Sequence, residues 1–194
     1  MGISHPDFIV GIGGSAGSLS AFIGFFESMP IDTGMAFIVV THLKPDSNSI
    51  LDRILSRYTK MPVAVAVTAL PVQADRVYVM PPNADLSIEG YLLKVVSPPR
   101  LASRQLDCLF GSLADSKGTH AIGIVLSGYL HDGTEGCKHI KAKGGTNIIQ
   151  DLSAEVSSMP LSALASGCID FVLPPDKMPD ELLRLAKRLQ HATQ

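Results

Sequence analysis

Cysteine is scarce in this chain: three occur in 194 residues, Cys108, Cys137 and Cys168, and none stands in a C-x-x-C pair. That spacing argues against a zinc site or a dithiol redox centre, and against a disulfide framework. The three are expected as small buried residues in a reducing compartment. Runs of lysine or arginine are missing as well. With a net charge of −2 and a pI near 6.3, nothing is placed to track a phosphate backbone, and nucleic acid is not an expected partner. No apolar run reaches the roughly 20 residues of a membrane span. The N-terminus "MGISHPDF" lacks a basic segment followed by an apolar one. A cytoplasmic protein without membrane insertion is expected.

What is present is a generous interior: 46% hydrophobic against 18% charged residues, with 17 glycines and 13 prolines spread along the chain. This is the composition of a globular protein. The length suits one full core and not two domains of about 100–200 residues each. A single domain over 1–194 is expected, its core running from about residue 8 to 187, with no repeat, low-complexity tract or linker.

Phe8 to Ile12 is a short apolar run ended by glycines and reads as a buried strand. Leu19, Phe22, Ile23, Phe26 and Met29 then recur at helical steps within Ala16 to Met29. "MAFIVVT" is a second buried strand, followed by a helix with Ile50, Leu51, Ile54, Leu55 and Tyr58 on one face, its start marked by Pro45 and Asp46 or Ser47. "MPVAVAV" reads as a third strand. "RVYVMPPNADLSIEGYLLKVV" reads as a strand, a proline-kinked loop and a hairpin turning at Glu89 and Gly90. "SRQLDCLFGSLADSKG" is helical, with Leu106, Phe110 and Leu113 on one face and Gly118 as its stop. A strand at Ala121 to Ser127, a helix at Thr134 to Lys143 and a strand at Thr146 to Gln150 follow. A short helix after Pro160, a strand at Ile169 to Val172 and a helix from Pro179 to about His191 complete the chain. Such alternation predicts a doubly wound α/β fold: a mostly parallel sheet with helices on both faces and an antiparallel hairpin at one edge.

In such a sheet, ligands bind outside the carboxyl ends of the strands. Ser15 follows the first strand, His42 the second, and Asp132 the strand at Ala121 to Ser127, so the three share one edge. His5 and His120 precede strands, His139 lies in a helix, His191 in the tail, and His131 is expected to face solvent. His42 is the histidine placed to act as a base. A serine needs a base to take its proton, and the base needs a carboxylate to fix its tautomer. Each residue also has a plainer reading: Ser15 as a helix cap, His42 as a loop residue, Asp132 as a turn residue before Gly133.

The stretch "VGIGGSAGSLSAF" approximates a dinucleotide fingerprint, but Thr41 and His42 stand where an acidic residue would hold a ribose. No lysine follows the glycines, so a P-loop fails too. "GGSAG" matches G-x-S-x-G, but an α/β-hydrolase elbow lies deeper in its chain and its histidine comes last.

Taken in order, "VGIGGSAGS", "FIVVTHLKPD", "VYVMPPNADLSI", "LDCLFGSLA", "IGIVLSGYLHDGTEG", "QDLSAEVSSMP" and "ALASGCIDFVLP" resemble the catalytic domain of the chemotaxis receptor protein-glutamate methylesterases, the CheB-type family. The resemblance covers about Phe8 to Lys187. It implies hydrolysis of glutamate γ-methyl esters on methyl-accepting chemotaxis receptors, releasing methanol, and in some members deamidation of receptor glutamines. Carried over block by block, it implies Ser15 in "GGSAG" as nucleophile, His42 in "THLKP" as base and Asp132 in "HDG" as acid. His42 Nε2 is the nitrogen expected toward the serine. Oxyanion support is expected from the turn at Gly14 and Ala16 and from Tyr129 in the facing loop. No metal or organic cofactor is implied. The implied partners are the cytoplasmic helices of the receptors and a chemotaxis methyltransferase, bound or fused.

Two departures from the family pattern stand out. Most members carry a "GMGxDG" type loop where this chain has "GYLHDG", so Tyr129 replaces a Met and Leu130 a Gly. A positive φ there would strain Leu130. Members also often carry an N-terminal receiver domain. The catalytic strand here begins at about residue 8, so no receiver domain and no control by phosphorylation in cis are expected. The alternative to an esterase is a catalytically weak receptor-docking module of the same fold with an altered oxyanion loop.

Overall fold

The computed structural model describes residues 4–42, 50–100 and 103–192. The chain starts with β1 (Phe8–Gly14), α1 (Leu19–Ser28), β2 (Met35–Thr41) and α2 (Leu51–Leu55). It continues with β3 (Val63–Val65), β4 (Arg76–Val79), β5 (Asp85–Glu89), β6 (Leu92–Val96) and α3 (Gln105–Lys117). β7 (Ala121–Val125), α4 (Thr134–Ala142), β8 (Thr146–Gln150), α5 (Ser158–Ala165), β9 (Phe171–Leu173) and α6 (Met178–Ala192) complete it. Seven strands form one sheet in the order β3-β4-β2-β1-β7-β8-β9, and all its pairings are parallel.

β1 and β2 lie in the middle and every residue of both is buried. That is why they read as unbroken apolar runs rather than as alternating patterns. Phe8, Val10 and Ile12 pack with Phe22, Phe25 and Phe26 of α1 on one face. On the other face Ile9 joins Leu106, Leu109 and Phe110 of α3. The next two β1 residues on that face are glycines. A Cβ at Gly11 would stand 3.0 Å from Phe110 Cε1, and one at Gly13 would stand 2.7 Å from Leu106 Cγ and nearer still to its methyls. The missing side chains therefore let α3 lie directly on β1, which carries the first turn of α3 to the carboxyl edge.

The hairpin of β5 and β6 is present but forms a sheet of its own. Leu86, Ile88 and Leu93 share the core of α3, and Ile88 N–H donates to Ser112 Oγ at 3.1 Å. The hairpin therefore covers a helix instead of extending the main sheet. α1 begins at Leu19, later than Ala16, because Ser18 N–H and Ser18 Oγ both donate to the Ser15 carbonyl, at 3.1 and 2.6 Å, closing a turn before the helix. α5 starts at Ser158, ahead of Pro160, since a proline in a first helical turn removes an N–H with no helical acceptor. Leu51 and Leu55 are the buried face of α2, while Ile50 and Tyr58 are exposed. The expected start of that helix at Pro45, Asp46 or Ser47 lies outside the described residues. Only Cys137 is buried as expected: Cys108 is exposed and Cys168 half-buried. Burial pushes the Cys137 thiol far up, so it stays protonated.

Candidate active site

Connections from β1 and β7 leave in opposite directions along the sheet, so the switch in strand order falls between these two neighbours. Ser15 is the first residue after β1, His42 the first after β2, and Asp132 lies in the loop between β7 and α4. His42 Nε2 stands 2.6 Å from Asp132 Oδ2, the carboxylate fully buried and the imidazole partly open. Ser15 and His42 line one cleft of about 270 Å³, with Leu19, Phe22, Leu51 and Ile54 as apolar wall.

Asp132 is held from a second direction. Its Oδ2 also accepts Leu106 N–H and its Oδ1 accepts Asp107 N–H, both at 2.9 Å. These N–H groups belong to the first turn of α3 and have no acceptor within the helix. The helix dipole favours negative charge at that point. The relation is reciprocal: Asp107 Oδ1 accepts Gly133 N–H at 3.0 Å and Gly136 N–H at 2.8 Å, at the start of α4. Two helix N-termini thus hold each other through exchanged carboxylates, and the loop carrying Asp132 is fixed between them. Asp107 was not among the expected site residues. Its sequence signal, an acidic residue in a first helical turn, is common to helices and does not name its target.

The imidazole is oriented differently from expectation. Nε2 faces Asp132, so Nδ1 is the nitrogen left for a serine proton. Ser15 Oγ makes no hydrogen bond among the described residues. Its backbone is fixed by Ser127, whose carbonyl accepts Ser15 N–H at 2.9 Å. Ser127 Oγ donates to the Ala16 carbonyl at 2.8 Å and accepts Val156 N–H at 2.9 Å, while Gln150 Oε1 accepts Ser127 N–H at 2.9 Å. Ser127 therefore ties together the serine turn, the loop after β8 and β8 itself. It too escaped the sequence reading, which placed it only as a strand end.

Of the residues expected to support an oxyanion, Gly14 is the buried last residue of β1, where a Cβ would meet Ser18 Cβ at 2.6 Å. Ser15 N–H and Gly128 N–H are engaged with Ser127 and Val156 carbonyls. Ala16 N–H and Tyr129 N–H have no acceptor among the described residues. Gly128 packs hard against the serine: a Cβ there would stand 3.0 Å from Ser15 Cβ and run into Met159. His131 is exposed. His5 and His120 pack on Tyr91 and Phe8, and His139 pairs with Asp115 at 3.0 Å, so none of these three reaches His42's position.

Leu130 has φ 68. The leucine itself takes the left-handed conformation, which costs about 1–2 kcal/mol for a side chain of this kind. Leu130→Gly relieves that strain but adds backbone entropy to the unfolded chain, so a net gain of about 0.5–1 kcal/mol is expected. In a chain of this size it shows as a thermal midpoint higher by about 2 °C. A midpoint at or below that of the parent would mean that the left-handed residue carries no strain.

A profile of the CheB methylesterase family matches residues 10–182. The chain belongs to that family. Membership places it among ester hydrolases. A CheB methylesterase catalytic domain from Thermotoga maritima, known from its crystal structure, superposes with a TM-score of 0.81 at 26% identity, covering 92% of this chain and 98% of that one. A protein of Leptospira interrogans, provisionally named protein-glutamate methylesterase/protein-glutamine glutaminase, is 30% identical over 178 residues, 90% of this chain and 92% of its own. The protein-glutamate methylesterase/protein-glutamine glutaminase of the group 3 operon of Rhizobium meliloti is 30% identical over 94% of this chain and 52% of its own. This CheB-type chain thus spans about half the length of the Rhizobium relative. None of its described helices is long and apolar enough to cross a membrane.

Proposed function

We propose that this CheB-type chain is a serine carboxylesterase that hydrolyses glutamate γ-methyl esters on methyl-accepting chemotaxis receptors, releasing methanol. The observation that carries the reading is the 2.6 Å contact between His42 Nε2 and the buried Asp132 carboxylate, with His42 lining the same cleft as Ser15. A carboxylate on Nε2 keeps the proton there and leaves Nδ1 as the base.

His42 Nδ1 takes the hydroxyl proton as Ser15 Oγ attacks the ester carbonyl. Negative charge then develops on the carbonyl oxygen, and Ala16 N–H and Tyr129 N–H, which have no acceptor among the described residues, are the proposed donors to it. Loss of one such donor costs about 10²–10³ in rate in acyl-transfer enzymes. The imidazolium returns its proton to the departing methoxide, and methanol leaves. Water, activated by the same imidazole, cleaves the acyl-serine and restores the hydroxyl. Asp132 stabilises the imidazolium in both halves. A receptor glutamine fits the same scheme with ammonia as leaving group, in keeping with the glutaminase in the relatives' names. The receptors' cytoplasmic helices are the proposed partner, and the cytoplasm the proposed compartment.

The test is methanol release from a methylated receptor cytoplasmic domain. Ser15→Ala is expected to reduce it to background while leaving the fold intact, because Ser15 Oγ holds no structural hydrogen bond among the described residues. Release at the parent rate would overturn the assignment of the nucleophile.

A further inference from the structure

A second cavity, of about 440 Å³, lies at the amino edge of the sheet, opposite the edge that carries Ser15. His5 and Asp7 lead into β1, Tyr91 follows the hairpin turn, Lys117 ends α3 and His120 immediately precedes β7, and all five line it. Lys117 Nζ stands 2.9 Å from the centre of the Tyr91 ring. The His5 ring lies against the same tyrosine, with centroids 4.2 Å apart. His120 Nδ1 meets Thr119 Oγ1 at 3.2 Å, which leaves Nε2 without a partner among the described residues. His5, Asp7 and His120 are exposed, so the cavity is open to solvent.

The charges in this cavity are not paired. Lys117 is half-buried and has neither a carboxylate nor another oxygen partner among the described residues. Burial lowers its amine to about 8, because a cation is removed from water and no anion offsets the loss. The Tyr91 ring favours the cation through its π face, yet it offers no oxygen to the ammonium protons. Asp7 is the single carboxylate on the cavity wall, and it forms no ion pair with Lys117 or with either histidine. None of these residues has a part in the chemistry at Ser15.

We propose that the cavity lined by Lys117, His5 and His120 binds the phosphate group of a small anionic ligand. Three donors on separate segments suit a tetrahedral oxyanion, which has an oxygen for each, whereas a carboxylate has two. The cavity is larger than a phosphate, so there is room for a group esterified to it. A bound phosphate supplies the acceptor that Lys117 lacks and raises its amine again. Binding therefore takes up a proton, and affinity is lost as pH rises past about 8. Loss of charge from His5 and His120 acts in the same direction. The Asp7 carboxylate opposes the anion, as a Tyr91 phenolate would.

The test is titration of the whole chain with inorganic phosphate and with ribose 5-phosphate at low ionic strength, followed by NMR through the amide shifts of Lys117, Gly118 and His120. Saturable shifts with a Kd of about 1 mM or below are expected. Tighter binding of ribose 5-phosphate identifies a monoester as the ligand, and tighter binding of phosphate the free anion. Lys117→Met keeps the length of the side chain without its charge and is expected to weaken phosphate about tenfold, His120→Gln about threefold. Asp7→Asn removes the opposing carboxylate and is expected to tighten phosphate about threefold, a gain that partial unfolding cannot imitate. Sulfate, whose own charge is constant with pH, is expected to bind about tenfold more weakly at about pH 9.5 than at about pH 7. No saturable shift with either phosphate up to about 20 mM would overturn the proposal. So would Lys117→Met and Asp7→Asn proteins that bind phosphate as the parent does.

Discussion

Asp132→Asn is expected to lower kcat by about 10⁴, the loss seen when a triad carboxylate becomes an amide and the histidine takes the wrong tautomer. In this protein the substitution strikes two systems at once. The carboxylate accepts three hydrogen bonds, from His42 Nε2, Leu106 N–H and Asp107 N–H. An amide has one accepting oxygen. If that oxygen takes the place of Oδ1 it keeps Asp107 N–H, and the amide nitrogen then faces both Leu106 N–H and His42, donating to His42 and forcing Nε2 to lose its proton. The proton then sits on Nδ1, where the serine proton has to go. If the amide turns the other way, His42 and Leu106 N–H keep an acceptor and Asp107 N–H faces the amide nitrogen; in either rotamer a buried N–H of α3 meets another donor, which costs about 1–3 kcal/mol. Both kcat on a γ-methyl ester and the denaturation midpoint are to be measured, because the two rotamers divide the damage differently. A variant within tenfold of the parent rate would remove Asp132 from the mechanism.

Asp107→Ala is expected to lower kcat by about 10–100-fold with KM little changed, as small misplacements of a catalytic group do. Asp107 does not touch His42. Its Oδ1 holds Gly133 N–H and Gly136 N–H, and Gly133 is the residue after Asp132. Alanine releases the start of α4, and the loop carrying Asp132 loses one of its two anchors. A stability loss of about 1 kcal/mol is expected alongside, as for a removed helix cap. Asp107→Asn keeps an oxygen in place and is expected to recover most of kcat. A merely structural role would lower the amount of folded enzyme without changing kcat per folded molecule. A rise in KM at constant kcat would instead mean that Asp107 serves substrate binding.

The strand and helix alternation was legible because each central strand is buried on both faces and so appears as an unbroken apolar run, as in "FIVGI" and "MAFIVVT". The parallel sheet then had a consequence that needs no coordinates. The carboxyl ends of parallel strands lie on one edge, so Ser15, His42 and Asp132, each just beyond a strand, had to face the same side. The hairpin was legible as a hairpin but not as a separate sheet. Its alternation of buried and open residues is the same whether it covers an edge or a helix. Gly11 and Gly13 read as parts of a glycine-rich turn, whereas in the fold they are the places where α3 touches β1. No local pattern distinguishes a glycine kept for a turn from one kept for a neighbour.

The sequence by itself determined the class of fold, the edge at which chemistry can occur and which serine and histidine stand there. Those follow from hydrophobic period and chain direction, both local properties. Only the tertiary structure decided which imidazole nitrogen meets Asp132, that Asp107 and Ser127 hold the loops in place, and that Leu130 bends left-handed into solvent. His42 and Asp132 are 90 residues apart, Ser127 and Ala16 111. Contacts across such separations are set by how helices and loops settle against one another.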